Sequence, residues 1–465
     1  MREICIGPLL LLLTGCVSLD PTYERPAAPV PASWPAGVAY APAQVSDTTA
    51  PDIPWRQFVK DEKLIKVVEQ ALANSRDLRK ALTNIQAARA QYRSQRASLF
   101  PEVNASASAD RSRSLNPYSG AGDSAITSET DTAQLGLSSF EIDLFGRQRS
   151  LSKAAFESYL STAEAARATR ISLIAETLTA YLTLAADQTT LSISQSTLES
   201  AMHSMDLTRS RLNAGVASLV DVKQAETVYQ QARADVASLT AGIAEDRNAL
   251  ELLAGSHIDE SLLPGVLPTS GEWLADVPAG LSSDVLLKRP DVLEAEHNLK
   301  SANANIGAAR AAFFPSVTLT ASAGRASSSL SSLLSGPTVW SVSPSVNLPI
   351  FNGGANVANL SYSKAQRDSY LAAYEEAIQT AFKEVADALA VRGTIEEQLS
   401  AHSALVDAAS ASYRLADARY SKGADTFLNA LDSQRTLYSA QKTLVSTRLT
   451  ALENTVTLYR VLGGG

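Results

Sequence analysis

Three polar residues near the carboxyl terminus have the spacing of a functional cluster. Asp425, Asn429 and Asp432 are four and three positions apart, which predicts that they share one face of the last helix. Carboxylates held close together raise some of their own pKa values or recruit cations, because like charges repel. The spacing therefore favours a polar site on that helix, and the alternative is a solvated helix surface.

The patterns of common catalytic sites are missing from the sequence. The 4 histidines are scattered and match no metal-ligand spacing, and we find neither a glycine-rich phosphate loop nor a nucleophile elbow. The formal net charge of -8 gives no support to a nucleic-acid partner, since binding phosphate needs clustered Lys and Arg. We therefore expect no enzyme, no metal, no cofactor and no nucleic acid.

The amino terminus has the features of a secretory signal. An apolar run over residues 4–13 is too short to span a bilayer as a helix. It ends in Leu13-Thr14-Gly15-Cys16, which resembles a bacterial lipobox and implies cleavage before Cys16 and a covalent lipid on that cysteine. The alternative is an ordinary signal peptide with a chance cysteine. Val17 in the next position favours sorting to the outer membrane.

Beyond this signal the sequence contains no apolar run of membrane-spanning length. We therefore expect no transmembrane helix, so that any passage through a membrane must use β-strands closed into a barrel. Removal of the signal also removes Cys5 and leaves Cys16 as the remaining cysteine. No internal disulfide is expected, although an extracytoplasmic compartment would permit one.

The placement of proline and glycine predicts very long helices. All 19 prolines lie outside residues 118–263 and 350–465, and residues 147–214 also lack glycine. Such stretches, rich in Ala, Leu, Glu, Arg and Gln, favour helix. A helix over 147–213 would be roughly 100 Å long at about 1.5 Å per residue, and a second long helix is predicted from about 355 to 422.

The body of the chain is an internal repeat. RASLFPEVNASASA at 96–109 returns as RAAFFPSVTLTASA at 310–323. Because proline ends a helix and extends the residue before it, each Phe-Pro marks a helix-to-strand junction. Alternating small polar and apolar residues follow each junction, a weak pattern typical of membrane-barrel strands. Residues 111–130 and 325–337 are expected to be outer loops.

Four strands are too few to close a barrel, since the smallest closed barrels need about eight. Open strand edges cannot lie in lipid. If these strands lie in a membrane, the protein must therefore be an oligomer whose chains share one barrel. Two soluble hairpins remain the alternative at this stage.

These features, in their order, resemble the outer-membrane factors of tripartite efflux pumps, a TolC-like family, and specifically its lipoprotein branch with OprM and NodT. The resemblance covers nearly the whole chain and rests on the doubled layout, both Phe-Pro junctions and a series of short motifs. Besides Cys16, those motifs are Pro21-Thr-Tyr-Glu-Arg-Pro26, Trp34-Pro35, Trp55-Arg-Gln-Phe58, Ala71-Leu-Ala-Asn74, Arg76-Asp77-Leu78, Lys288-Arg289-Pro290-Asp291 and Ile350-Phe351-Asn352-Gly353-Gly354.

The resemblance implies a membrane β-barrel plus an all-α part. Three chains would give a twelve-stranded outer-membrane barrel, four strands from each, continued by a long periplasmic α-helical barrel with a mixed equatorial domain. The implied function is the exit duct of a tripartite pump, passing drugs from a resistance–nodulation–division pump and a periplasmic adaptor to the outside. The protein would be lipid-anchored in the outer membrane and extend into the periplasm.

The domain boundaries follow from the repeat. We expect a signal peptide at 1–15, a lipidated linker and equatorial segment at 16–60, and an equatorial link at 255–284. The first repeat would cover 61–254, with a hairpin at about 101–145 and long helices at about 147–254. The second would cover 285–465, with a hairpin at about 315–351 and long helices at about 354–460.

The resemblance also assigns roles to the region where the long helices turn. Gly215 and Gly423 follow the long helices, and a glycine there suits a left-handed cap. Those turns would be the adaptor-docking ends, and the pore gate would lie beside them. The implied gate residues are Asp425, Asp432, Asn429, Asp221 and Tyr420, with hydrogen bonds or ion pairs from Tyr420, Arg419 or Arg211 holding the gate shut.

Two points depart from this assignment or compete with it. Family members often carry an acid where this chain has Asn429, so a ring of Asn429 would be neutral. Asp77 and Asp291 are interpreted as helix caps rather than functional residues. The alternatives for the whole protein are a type I secretion or metal-efflux duct of the same fold, and a periplasmic scaffold lipoprotein without a pore.

Overall fold

The computed structural model describes residues 18–40, 53–115, 125–268, 272–278 and 282–464. The chain divides into two compact units. The strand unit comprises Ile85–Thr162, Ala295–Tyr374 and the described part of Met1–Pro26, and the helical unit comprises Ala27–Asn84, Ala163–Glu294 and Glu375–Gly465. Each unit takes residues from both predicted repeats, and the predicted domain boundaries stay a prediction.

Two helices of 67 residues dominate the secondary structure. They are α4, Arg147–Asn213, and α7, Ala355–Ser421, which confirms both predicted spans. The other helices are α1 (Trp55–Phe58), α2 (Glu62–Asn74), α3 (Arg76–Ala97), α5 (Leu219–Ala254), α6 (Pro290–Ala311) and α8 (Phe427–Val461). None of the described helices has an apolar stretch long enough to span a membrane.

Both Phe-Pro junctions separate a helix from a strand, as predicted. Helix α3 ends at Ala97 and β1, Val103–Leu115, begins two residues after Pro101. Helix α6 ends at Ala311 and β3, Ser316–Ser327, begins directly after Pro315. Proline lacks the N–H that a continuing helix needs, so each helix stops before it.

The four strands form one antiparallel sheet in the order β1-β2-β3-β4, where β2 is Ala125–Ile142 and β4 is Thr338–Asn347. Strand β2 pairs with β3 and so joins the hairpin of the first repeat to that of the second. The strands are longer than predicted, because 111–115 and 125–130 are strand rather than loop. A register shift between Leu137 and Phe140 marks an irregularity in β2.

The register sorts the side chains of the sheet into two different faces. Cross-strand partners lie on the same face of a sheet. One row of partners is apolar throughout: Val103, Leu137, Ala321 and Val342. The adjacent row lies on the opposite face and has small or polar members: Asn104, Gly136, Ser322 and Ser341.

Residues 18–26 form an extended segment, here called the strap, that lies along one side of α6 in the strand unit. The Arg25 guanidinium donates to both carboxylate oxygens of Glu296, at 3.0 and 2.7 Å. The Glu296 side chain is only 3% exposed and also accepts from the Tyr23 hydroxyl at 3.1 Å. Further along α6, two side chains donate to strap carbonyls: Asn303 to Pro21 at 2.8 Å and Arg310 to Leu19 at 3.0 Å.

In the helical unit, the buried Arg289 connects three parts of the chain. Its guanidinium donates to the Asp291 carboxylate, to Glu384 on α7 at 2.8 Å, and to the backbone carbonyl of Val461 at 2.7 Å. Asp291 lies in the first turn of α6 and also accepts from the N–H of Val292, as a residue at a helix start should. At the start of α3 the Ser75 hydroxyl accepts from Leu78 N at 3.4 Å. Asp77 lies in the first turn of that helix, where its charge suits the positive end of the helix dipole, but the capping hydrogen bond comes from Ser75.

Candidate functional site at the two glycine turns

Two turns of the same construction end the long helices in the helical unit. After α4, Gly215 N donates to Leu212 O and Val216 N donates to Arg211 O, both at 2.9 Å. After α7, Gly423 N donates to Tyr420 O and Ala424 N to Arg419 O, again at 2.9 Å. This pair of bonds is the Schellman motif, which needs a left-handed residue at its centre. Gly215 and Gly423 both have φ +76, as predicted.

Asp425 is the most fully hydrogen-bonded acid of the predicted gate. Its carboxylate accepts from Thr426 N at 2.8 Å, from Asn429 Nδ2 at 2.7 Å and from Arg419 Nε at 3.0 Å. The backbone N–H of Thr426, the Asn429 amide and the Arg419 guanidinium together hold the pKa of Asp425 below its ordinary value. Within one chain, Asp425 is therefore a stabilised carboxylate.

The predicted helix face is only partly correct. Helix α8 begins at Phe427, with Thr426 as its N-cap, so Asp425 lies in the turn before the helix. Asn429 and Asp432 lie on the helix and are exposed. Asn429 still meets Asp425 because its amide reaches back across the helix start. The Asp432 carboxylate makes no hydrogen bond or ion pair within the described part of the chain, and its backbone carbonyl accepts from Thr436.

Tyr420 faces the interior of its own helical bundle. Its side chain is buried, and its ring packs against Phe427 with centroids 5.2 Å apart. Thr208 Oγ1 already donates to Ser204 O, so the Tyr420 hydroxyl donates to Thr208 Oγ1 at 2.9 Å. Tyr420 thus connects α7 to α4 and to the start of α8.

Arg211 joins the two turns from the α4 side. Its guanidinium lies over the Tyr420 ring, 4.3 Å from the centroid, and donates to Ser421 O at 3.0 Å. A guanidinium over an aromatic face is favourable because the ring face is electron-rich. The predicted bonds from Arg419, Arg211 and Tyr420 therefore all form inside one chain, and none of them requires a neighbouring protomer.

Asp221 has a local role at the start of α5. Its carboxylate accepts from Ser218 N at 2.8 Å, while Ser218 Oγ accepts from Asp221 N at 3.1 Å. These reciprocal bonds form a capping box. The capping box explains the position of Asp221 without a pore, and its gate role stays a prediction.

The α4–α5 turn exposes apolar side chains beside the glycine. Val216, Leu219 and Val220 are each more than half exposed, and Leu428 at the start of α8 is likewise exposed. The two turns therefore combine exposed apolar side chains with one well-bonded acid, Asp425.

The predicted lipidation residue, Cys16, lies outside the described residues.

A second polar cluster escaped the sequence analysis because its members lie on three different helices. Tyr438 on α8 donates to Asp235 on α5 at 2.6 Å and lies 2.8 Å from the Ser194 hydroxyl on α4. Burial and the bond to Asp235 raise the pKa of Tyr438 to about 12. The positions are too far apart in the sequence to form a motif, so no local signal could have found them.

Comparisons with known proteins give the family. The model of the family described as outer membrane efflux protein matches residues 67–256 and 281–464. The chain belongs to this family. Its two matched segments correspond to the two repeats of the sequence, each ending in one pair of long helices.

Close relatives of this outer membrane efflux protein occur in Pseudomonas putida. The antibiotic efflux pump outer membrane protein ArpC is 49% identical over 98% of this chain and 93% of its own length. The toluene efflux pump outer membrane protein TtgC has the same identity and coverage. Among solved structures, the open state of the Neisseria gonorrhoeae MtrE outer membrane channel is 37% identical, with a TM-score of 0.86 over 96% of this chain and 98% of that one.

These matches extend over nearly the whole chain. The protein is therefore an outer-membrane efflux channel with the fold of the channels it resembles, a helical body with a four-stranded sheet. The predicted family, fold class, function and location are confirmed.

Proposed function

We propose that this protein is the exit duct of a tripartite efflux pump, built as a homotrimer with a shared twelve-stranded barrel. The observation that carries the proposal is the sheet order. Within the described residues, β1 and β4 each pair with a neighbour on one side only. Unpaired strand edges are costly in lipid, so the edges must meet those of other copies.

The two faces of the sheet support this arrangement. The row containing Val103 and Val342 is apolar and suits lipid, whereas the row containing Asn104 and Ser341 suits a water-filled channel. Trp340 is 75% exposed and pairs with Ala323 on the apolar face. An exposed Trp on that face is typical of a membrane interface.

The duct conducts substrates without changing them, and it has no cofactor besides a covalent lipid. Its partners are a periplasmic adaptor and an inner-membrane pump of the resistance–nodulation–division type. The relatives act in antibiotic and toluene efflux, which favours small amphipathic or apolar substrates. The exposed Val216, Leu219 and Val220 at the α4–α5 turn give the adaptor an apolar surface to dock on.

The gate is assigned to the α7–α8 turn. Asp425 is held by Arg419 and Asn429, and Asp432 is exposed on the next turn of α8. In a trimer these acids form two rings of three. An ionised ring of Asp425 would attract cations and resist passage of anions, while Asn429 adds a neutral ring between the two.

The deciding experiment is single-channel conductance in planar bilayers of the purified full-length protein. The wild type should run as a heat-dissociable trimer on gels and show a small resting conductance. Combined Asp425→Ala and Asp432→Ala should raise that conductance, because the acid rings and the Arg419 bond are lost. The matched control combines Asp387→Ala and Asp407→Ala, which removes two exposed acids from α7 away from the turn.

Either of two outcomes would count against the proposal. A folded oligomer without conductance in any variant would favour a scaffold protein and refute the duct. A double variant as closed as the wild type and its control would refute the gate assignment alone.

We further propose that Cys16 carries the lipid anchor. Cys16→Ala should abolish incorporation of labelled palmitate, because the acylated sulfur and the processing site are both removed. Cys5→Ala is the matched control and should label like the wild type, since Cys5 lies within the proposed signal. Persistent labelling of the Cys16→Ala protein would refute the lipid assignment.

A further inference from the structure

A groove of about 380 Å³ lies between α5 and α8 in the helical unit, with Thr197 of α4 on its wall. Val228, Ala232 and Gln434 are buried along it. Arg435 is exposed at its rim. None of the residues assigned to the gate or to the adaptor-docking turns lines this groove.

The groove is braced by bonds between the helices on either side of it. Arg435 donates to the Thr227 hydroxyl at 3.1 Å, linking α8 to α5. Two turns of α5 further on, Tyr438 donates to Asp235 at 2.6 Å. These interhelical bonds hold α5 and α8 at a fixed separation, so the shape of the groove is set by the packing of the two helices.

The groove contains a buried hydrogen-bond donor without a partner. Gln434 is only 6% exposed, and its Nε2 makes no hydrogen bond within the described part of the chain. A buried donor left unpaired destabilises the folded state, so native proteins nearly always satisfy it. The Gln434 amide therefore points to an acceptor that enters the groove.

The charge around the groove favours an anion. One guanidinium nitrogen of Arg435 donates to Thr227, and the other N–H groups of Arg435 can donate to a bound acceptor. The lining of the groove contains no carboxylate. The nearby Asp235 carboxylate already accepts hydrogen bonds from Tyr438 and, at 2.9 Å, from Gln231, and it pairs with Lys442 at 3.6 Å. A carboxylate can accept from an amide and a guanidinium together, which a neutral alcohol cannot do as well.

We propose that this groove binds a small organic carboxylate. Its oxygens accept from Gln434 Nε2 and the Arg435 guanidinium, and its apolar body rests on Val228 and Ala232. A bound molecule would connect α5 to α8 close to where both helices leave the turns, at Leu219 and Phe427. An effect on channel opening rests on the proposed gate, whereas binding itself does not.

The test measures benzoate binding to the full-length purified trimer by isothermal titration calorimetry, with benzyl alcohol as the uncharged probe of similar size. We expect saturable binding of benzoate in the millimolar range, as suits so small a ligand. Gln434→Met keeps the side-chain length and removes the donor, and should weaken binding at least tenfold. Arg435→Gln should weaken it similarly.

Arg448→Gln is the matched control, because it makes the same charge change on α8 outside the groove, and it should bind like the wild type. Benzoate that fails to bind the wild type saturably, or that binds Gln434→Met equally well, would overturn the proposal. Equal binding of benzyl alcohol would overturn the assignment to an anion. If Gln434→Met does not fold, the exposed Arg435→Gln carries the same decision.

Discussion

At the residue scale, two carboxyl groups in the helical unit face each other away from the turns. Burial raises the pKa of Asp187 on α4, although a hydrogen bond with Asp246 opposes the shift. Burial raises the pKa of Asp246 on α5, and the charges of Asp187 and Glu245 raise it further. Asp246 Oδ2 is buried and lacks a partner among the described residues. We infer that the two groups share one proton.

Asp246→Asn should stabilise the protein at alkaline pH. With raised pKa values, the folded state binds more protons than the unfolded state, so stability falls as pH rises above the unfolded carboxyl pKa of about 4. Asparagine keeps a hydrogen-bond donor for Asp187 without the charge. The substitution should raise the free energy of unfolding by on the order of 1 kcal/mol at pH 8. Urea unfolding followed by circular dichroism at pH 5 and pH 8 measures the difference.

The control for this substitution is Glu199→Gln, which removes an exposed charge from α4 away from the pair. Its stability should depend on pH much as that of the wild type does. An Asp246→Asn protein whose stability depends on pH in the same way as that of the wild type would refute the shared proton.

At the element scale, the strap depends on a glycine in the middle of α6. A Cβ at Gly307 would lie 1.8 Å from Asp20 Oδ1 and 2.8 Å from the Ser150 hydroxyl. Asp20 accepts from Ser150 and pairs with Lys153 at 3.3 Å, both on α4. The missing side chain therefore makes room for the strap to pass between elements of the strand unit.

Gly307→Ala should release the strap even though alanine favours helix. Helix propensity alone would stabilise the variant by about 1 kcal/mol, but the added methyl group displaces Asp20. We expect faster cleavage by chymotrypsin after Tyr23, which lies within the strap and is followed by Glu24. The matched control is Gly242→Ala on α5, where the nearest atom to an added Cβ is 3.5 Å away. Because this methyl group meets no clash, the helix propensity of alanine should stabilise the control variant. Equal cleavage of both variants would contradict this role for Gly307.

At the scale of the whole molecule, Arg289 ties positions that are far apart in the sequence. It lies at the start of the second repeat and contacts Glu384 on α7 and the carbonyl of Val461 at the end of α8. Burial raises the pKa of Asp291, but the bonds and charge of Arg289 outweigh it and keep that pKa below its ordinary value. The ion-pair cluster is therefore charged at neutral pH.

Arg289→Met should destabilise the helical unit by roughly 3 kcal/mol at pH 7, because it leaves two carboxylates and a carbonyl without their donor. Arg289→Lys should recover only part of the loss, since an ammonium cannot form the same forked bonds. A lowered pKa contributes stability that is lost on acidification. The difference from the wild type should therefore shrink towards pH 3 in urea unfolding, and a constant difference would contradict the ion-pair explanation.

The long helices, the helix-to-strand junctions and the two glycine turns could all be predicted from the amino-acid sequence. The absence of proline and glycine predicted both 67-residue helices, the Phe-Pro pairs predicted the helix-to-strand junctions, and Gly215 and Gly423 predicted left-handed caps. These features follow from the backbone chemistry of single residues, which acts over a few positions and needs no knowledge of the rest of the fold.

The contacts of individual side chains, in contrast, became visible only in the folded protein. Asp425 lies before α8 rather than on it, Tyr420 turns into its own bundle, and Asp221 closes a capping box. The groove at Gln434 and the pair of Asp187 and Asp246 join different helices. Such contacts depend on how distant helices pack and rotate against one another. The sequence of a 67-residue helix does not show which of its residues face a given neighbour, because the local pattern is similar on every side.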